Sequence, residues 1–327
     1  MTTIKDVAKQ AKVSVTAVSY AINGTGTISE ETRKHILQVA KELNYHPNAF
    51  ARNLKKRKTS TIGVFITSFG GSFYEEILEG IHDAVIQTDY EMIVCPESWT
   101  KRKVLTQRQV DGAIVFDWKI DSDTILKLAS KKFPIVVLDR HLESDYLFPM
   151  LLDNKHGARE AFYHLYEQGA RRLALVTGAS DSFDNEERTR AFLEEAEKNS
   201  VAVSRYKGNF TEKSGYQVAQ AIIESHELPD AVFCNNDQMA IGFMRAMKEH
   251  NLSAPEDIGV VGFDDIKIAK YLQPSLTTVG MSRFSWGAAA ANQLIDVLEN
   301  DSDFPKAERI PTKLIPRESS TKNYGGK

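Results

Sequence analysis

The sequence predicts a small all-α helix-turn-helix headpiece followed by an α/β core of two lobes, each a doubly wound parallel sheet. Three observations carry this. Residues 4–43 place small and aliphatic side chains at helical spacing. From residue 61 onward, short β-branched runs alternate with amphipathic stretches, as in repeated βαβ units. The charge divides at the same place: residues 1–60 hold 11 Lys and Arg against 4 Asp and Glu, net +7, whereas the 327-residue chain is −3, leaving −10 for residues 61–327.

In the headpiece, Ile4, Val7, Ala8 and Ala11 recur at i, i+3, i+4, i+7, and Thr3 with Asp6 forms a capping-box pattern. Ser14 is a suitable cap for "VTAVSYAIN", a poor lone helix because half of it is β-branched or small. At about 100° per residue, Ala17, Val18, Ala21 and Ile22 face a core, while Val15, Thr16, Ser19, Tyr20 and Asn23 face outward. Ser29 caps a third helix with Ile36, Val39, Ala40 and Leu43 on one stripe. A basic module with an uncommitted helix face implies contact with a polyanion by that module alone.

Pro47 then stops the helical pattern and Asn48 can cap another segment. Ala49 to Lys56 is about two turns, too short to be stable alone in water. The runs "TIGVFIT", "YEMIVCP", "GAIVF", "FPIVVLD", "RRLALVTG", "DAVFCNND" and "IGVVGFDD" read as buried parallel strands. Amphipathic stretches 74–88, 122–132, 155–168, 186–199, 213–225 and 238–250 lie between them. The strands form two groups, about 62–138 and 172–263, hence two lobes with a cleft. The expected domains are 1–46 headpiece, 47–59 hinge helix and linker, and 60–327 core. Within the core, one lobe takes about 60–154 and 284–316 and the other about 155–283.

Composition narrows the function classes. With no amino-terminal apolar region and no apolar run near eighteen residues, neither secretion nor a membrane span is expected, and the location is cytoplasmic. Cys95 and Cys234, without CxxC spacing, read as buried thiols in a reducing compartment. GxSxG, GxxxxGK[ST] and HExxH are all absent, and the eight His residues show no metal-ligand spacing. No enzyme, catalytic residue, cofactor or metal is expected.

"TIKDVAKQAKVSVTAVSYAIN", "ETRKHILQVAKELNYHPNAFARNL", "VDGAIV", "NDQMAIG", "GVVGFDDI", "PSLTTV" and "PRESS", in this order, resemble the LacI/GalR family of bacterial transcription regulators. The resemblance implies a periplasmic-binding-protein-like core that binds a small effector between its lobes. It also implies a repressor acting as a homodimer on near-palindromic operator DNA. "NDQMA" is similar to the sugar-responsive branch, which implies a carbohydrate effector; the alternatives are a purine- or nucleoside-responsive repressor and a global catabolite regulator controlled by a phosphocarrier protein. The stretch "STKNYGGK" has no heptad, so a dimer rather than a tetramer is expected.

Carried over residue by residue, the resemblance implies that Val15, Thr16 and Tyr20 read bases, with Ser14, Ser19 and Asn23 on phosphates. Tyr20 could instead cover the headpiece core. Asn48, Ala51, Arg52, Leu54 and Lys55 match the hinge, with Leu54 as a minor-groove wedge. In the cleft, polar groups suit a polyol and aromatic faces its C–H side; the positions are Phe73, Tyr74, Trp118, Asp139, Arg188, Phe210, Asn236 and Asp264. Asp139 and Asp237 stand equally well as helix caps. Two departures from the family pattern stand out. Lys12 takes the place of a frequent Gly in the headpiece turn, and a shortened stretch between "MIVC" and "VDG" implies a stunted or missing helix.

Overall fold

The computed structural model describes residues 2–46, 58–69, 73–96, 103–300 and 308–321. The chain divides into two compact units, Met1–Thr59 and Ser60–Lys327. The first contains α1 (Ile4–Ala11), α2 (Val15–Asn23) and α3 (Glu30–Glu42). Val7, Ala8, Ala11, Val18, Ala21, Ile36, Val39 and Ala40 are its core. The Thr3–Asp6 capping box forms, and Ser14 and Ser29 accept bonds from the backbone N–H of Ala17 and Thr32. Lys12 ends α1 in the left-handed conformation, φ 55°, where glycine is the usual residue. The expected helix 49–56, with Asn48, Ala51, Arg52, Leu54 and Lys55, lies outside the described residues.

The second unit runs β1 (Thr61–Ile66), α4 (Phe73–Val85), β2 (Glu91–Pro96), α5 (Lys103–Thr106), β3 (Gly112–Phe116), α6 (Ser122–Leu128), β4 (Ile135–Val137) and β5 (Leu147–Leu152). It continues through α7 (Asn154–Glu167), β6 (Arg172–Thr177), α8 (Phe183–Lys198), β7 (Ala202–Lys207), α9 (Glu212–Glu224), β8 (Ala231–Cys234), α10 (Asp237–Glu249), β9 (Gly259–Phe263) and β10 (Thr277–Gly280). It finishes with α11 (Arg283–Asn300), β11 (Glu308–Ile310) and β12 (Lys313–Ile315). The strands sort into two sheets, ordered β11-β5-β4-β3-β1-β2 and β12-β10-β9-β8-β6-β7. Pairing is parallel except between β10 and β12. The chain crosses between sheets at Asp153, at Met281–Ser282 and at Pro311–Thr312. The expected lobe segment 284–316 therefore divides, because β12 joins the second sheet.

Three expectations need correction. "YEMIVCP" forms an edge strand, β2, with alternating exposure, because apolar content alone does not separate an edge from a centre. Cys95 on that strand is only half-buried, whereas Cys234 in central β8 is fully buried. The helix expected over 186–199 starts earlier: α8 begins at Phe183, capped by Ser182, so Arg188 stands in its second turn rather than at its opening. Where the helix was expected to be stunted, the described residues show the four-residue α5.

Each lobe carries a helix pair held in close approach by reciprocal glycines. A Cβ at Gly80 of α4 would collide with the Phe284 carbonyl, and one at Gly287 of α11 with the Ile77 carbonyl. In the other lobe, Gly215 of α9 faces the Met239 carbonyl and Gly242 of α10 the Glu212 carbonyl in the same way. Backbone cannot yield as a flexible side chain can, so a methyl group here pushes whole helices apart. Gly242→Ala is expected to lower core stability by about 2–3 kcal/mol, as overpacking does. Urea unfolding followed by circular dichroism checks this; an unchanged midpoint contradicts it.

Candidate functional sites in the headpiece and the interlobe cleft

On α2, Val15 is 42% and Tyr20 38% exposed, and Ser14, Thr16 and Asn23 are exposed beside them. The inward Val18 and Ala21 are buried, so the wheel inferred from sequence is the observed one. Tyr20 does not cover the core; its ring lies against Gly26, where any Cβ would strike it. Asn23 donates through Nδ2 to the Ser19 carbonyl at 2.8 Å and to Ser19 Oγ at 3.2 Å. Ser14 Oγ is occupied as the helix cap. The face thus offers a methyl-bearing edge, one phenol and a paired Ser–Asn, all without a charged side chain.

In the core, the sheets present their carboxyl ends to the cleft, where ligands of doubly wound folds bind. Arg188 is 3% exposed. Its Nε donates to Asn154 Oδ1 at 2.8 Å, and its Nη1 to the Asn235 carbonyl at 2.7 Å and to Asp264 Oδ1 at 3.3 Å. The guanidinium lies 3.6 Å from the centre of the Phe263 ring. Nη2 makes no hydrogen bond to a described residue. Asp264, at φ 114°, also holds the lobes together, since Arg283 of α11 donates to its carbonyl and, at 2.9 Å, to that of Asp265. Arg283 in turn pairs with Glu76 of α4 at 3.0 Å.

Burial pushes the Asp264 carboxyl up to about 6, against the pull of Arg188 and Arg283. Burial likewise raises Asp139 and Asp184, and Asp184 adds its field to both Asp139 and Asp264. Asp184 and Asp264 thus feel Arg188 directly, and Asp139 of the other lobe is coupled to them through the field of Asp184. Asp184, whose Oδ1 accepts from Asn154 Nδ2 at 2.7 Å, was missed from sequence. The signal available was a carboxylate in the first turn of the helix that carries Arg188.

Asp139 caps no helix: it forms a two-bond ion pair with Arg140 at 3.0 and 2.8 Å. Arg140 also donates to the Asp117 carbonyl at 2.7 Å. Asp237 is no cap either, because its carboxylate accepts from Thr278 Oγ1 and, at 2.9 Å, from the Ile266 N–H. The cap of α10 is Asn236, whose Oδ1 accepts from Met239 N–H at 2.9 Å while its Nδ2 donates to the Phe210 carbonyl at 3.0 Å. Asn236 therefore fixes the loop that carries Phe210, whose ring packs over Gly178. Phe73 and Tyr74 meet each other and Phe116 edge to face, at 5.4–5.6 Å between ring centres. Burial pushes the Tyr74 hydroxyl up to about 12. Trp118, Asp139 and Arg140 from one lobe and Ser180, Ser182 and Phe183 from the other line a cavity of about 250 Å³ between the lobes. Among the described residues no group of three or more His, Cys, Asp or Glu is placed to hold a metal ion. No described helix is long and apolar enough to cross a membrane.

Comparison with known proteins places both sites in context. Residues 3–48 match the bacterial regulatory proteins of the lacI family, and residues 162–320 match the periplasmic binding protein-like domain. The chain is 32% identical over 331 residues to the HTH-type transcriptional repressor PurR of Escherichia coli O139:H28, covering 98% of this chain and 97% of that one. A sugar-binding transcriptional regulator (LacI family) from Enterococcus faecalis is 35% identical, with TM-score 0.74 over 81% of this chain and 99% of that one. The lac repressor dimer bound to operator and the anti-inducer ONPF is 25% identical, with TM-score 0.84 over 98% of this chain and 99% of that one.

The raised Asp264 carboxyl has a measurable consequence. Its folded value, about 6, exceeds the ordinary 3.8, so the folded chain binds this proton more tightly than the unfolded chain. Acidification from pH 7 to pH 5 therefore stabilises the fold through this group. Asp264→Asn is expected to lose about 1 kcal/mol of the stability that the native chain gains over that interval. Urea unfolding of both proteins at the two pH values gives the difference, in which groups not coupled to Asp264 cancel; identical pH dependence contradicts the assignment.

Proposed function

The chain belongs to the lacI family of bacterial regulatory proteins and is a DNA-binding transcriptional regulator; we propose that it is a cytoplasmic repressor whose hold on operator DNA is set by a small carbohydrate in the interlobe cleft. The observation that carries the carbohydrate reading is the convergence on Arg188. Its guanidinium, with one nitrogen unbonded to any described residue, stands beside the carboxylates of Asp264 and Asp184, and Asp139, Trp118 and Phe183 line the adjoining cavity. Carboxylate and guanidinium pairs match vicinal hydroxyls, and aromatic faces match the C–H side of a sugar ring. Likeness to a sugar-binding regulator supports the same reading. No catalytic role, cofactor or metal is assigned.

On DNA, Val15 and the Thr16 methyl suit thymine methyls, and Tyr20 is the remaining base reader; Ser14, Ser19 and Asn23 hold phosphates. No Arg stands on this face to grip guanine, so base contacts of about 1–3 kcal/mol each supply only part of a repressor's specificity. In a homodimer on a near-palindromic operator, two Leu54 side chains unstack a central pyrimidine–purine step. Arg52 and Lys55 follow the phosphates, with Asn48 and Ala51 completing the hinge contact. The sugar shifts the lobes about the three short crossings, and the hinge segments, too short to be helical alone, order or melt accordingly.

A thermal-shift screen of mono-, di- and oligosaccharides, with purines and nucleosides as the competing class, tests the effector, because a cleft ligand stabilises by mass action. Arg188→Lys, which keeps a charge beside Asp264, is expected to weaken saccharide binding by ten-fold or more, about 1.5–3 kcal/mol. Operator affinity without saccharide should stay within about three-fold. Calorimetry and fluorescence anisotropy measure the two, and unchanged saccharide affinity removes Arg188 from the site. Leu54→Ala is expected to lose operator preference yet keep salt-dependent binding to random duplex, since the basic residues remain. Anisotropy on both duplexes at two salt concentrations decides; an unchanged preference contradicts the wedge.

A further inference from the structure

The interlobe cavity has a larger neighbour. Ser180 and Glu186 line both that cavity and a larger one of about 790 Å³ on the outer flank of the second lobe, between α8 and β7. The flank cavity is within the range of about 300–1,000 Å³ that takes small-molecule ligands. The two cavities lie along the first two turns of α8, from Phe183 to Arg190, about 10 Å at 1.5 Å per residue. One face of the helix, with Asp184 and Arg188, serves the cleft; the other, with Asn185, Thr189 and Arg190, serves the flank.

The flank is built to donate. Asn185, buried to 8% exposure, accepts through Oδ1 from Gly178 N–H, from Asn235 Nδ2 at 2.8 Å and from Thr189 Oγ1 at 3.5 Å. The Gly178 N–H fixes which amide atom is the oxygen, since a nitrogen there would face another donor. Its Nδ2 has no hydrogen-bond partner among the described residues, and Asn185 lines the cavity. Arg205 and Lys207, exposed on edge strand β7, line the same cavity, and neither has an ion pair among the described residues. Arg190 also lines it, paired with Glu186. Three cations against one carboxylate stand out on a core whose sequence carries a net of −10. Two unpaired cations beside a buried amide donor with an unbonded N–H suit an anionic group more than a neutral hydroxyl.

We infer that the effector is an anionic saccharide of at least two units, with one ring in the interlobe cavity and a carboxylate or phosphate on Asn185 Nδ2, Arg205 and Lys207. This rests on the carbohydrate reading of the cleft and adds its length and charge. Uronate and phosphate share the required chemistry, and the experiment separates them.

The test is calorimetry on the full chain with neutral disaccharides, their 6′-phosphates, uronic-acid-terminated disaccharides and inorganic phosphate alone. An anionic disaccharide is expected to bind at least ten-fold tighter than its neutral parent, and whichever series does so identifies the group. The double substitution Arg205→Gln and Lys207→Gln is expected to erase that advantage while leaving the neutral sugar's affinity unchanged. Equal affinity for neutral and anionic forms overturns the inference and leaves the carbohydrate reading intact. Inorganic phosphate bound by the native chain but not by the double variant, with no saccharide bound, supports the flank site and overturns the carbohydrate reading. Failure of both inorganic phosphate and every anionic saccharide to bind overturns the flank site itself.

Discussion

Two arginines from different lobes converge on Asp264, and the cleft is organised around that meeting. Arg188 holds the carboxylate from within the second lobe, and Arg283, at the start of a helix packed on the first sheet, holds the carbonyl. Buried charges are tolerated only when paired and hydrogen-bonded, so each group constrains the others. Arg188 fixes Asn154 at one interlobe crossing and the end of β8, while Arg283 reaches Glu76 on α4. Arg283 Nε is buried without a partner among the described residues, a cost of about 1–3 kcal/mol in this arrangement of the lobes. Elements that carry such a cost are those whose balance a ligand can tip. In the proposed mechanism the ligand that engages Arg188 and Asp264 acts on the same residues that join the lobes.

The headpiece meets a different constraint. It has to present a polar face on a helix whose own propensity is weak, and it does so through caps at Thr3, Ser14 and Ser29 and a core of small side chains. Ala8, Ala11 and Ala21 allow the helices close approach, and the larger Ile36 and Val39 of α3 fill the remaining space. Lys12 in the left-handed region carries backbone strain at the turn between α1 and α2 and keeps a positive charge there. Tyr20, set against Gly26, is exposed yet anchored, so it presents its hydroxyl with little rotational freedom to lose on binding.

Periodicity made the headpiece legible, because three capped helices with one stripe each leave one way to pack. Central strands such as β3 and β8 were equally clear, being short apolar runs bounded by turns. The strands that sequence missed have physical reasons for silence. β7 is a polar edge, β5 contains Pro149, β10 is four residues with two Thr and a Gly, and β11 and β12 are three residues each. In the cleft, the family resemblance pointed to Arg188 and Asp264 but not to their partners, since Asn154, Asp184 and Arg283 are brought to them by chain crossings far apart in sequence. The roles of Asn236 and Asp237 are set by bonds to the Phe210 loop and to Thr278, which spacing alone does not reveal.

The central claim is that the Arg188–Asp264–Arg283 junction couples ligand occupancy to operator binding. The most direct measurement is the ratio of operator affinities with and without saturating saccharide, by fluorescence anisotropy, for the native chain and for Arg283→Met. Coupling of about 1–3 kcal/mol corresponds to a ratio of about 5–150. The account predicts that Arg283→Met brings this ratio close to one while the saccharide still binds. A native ratio retained in the variant would show that the lobes communicate by another route and would contradict the claim.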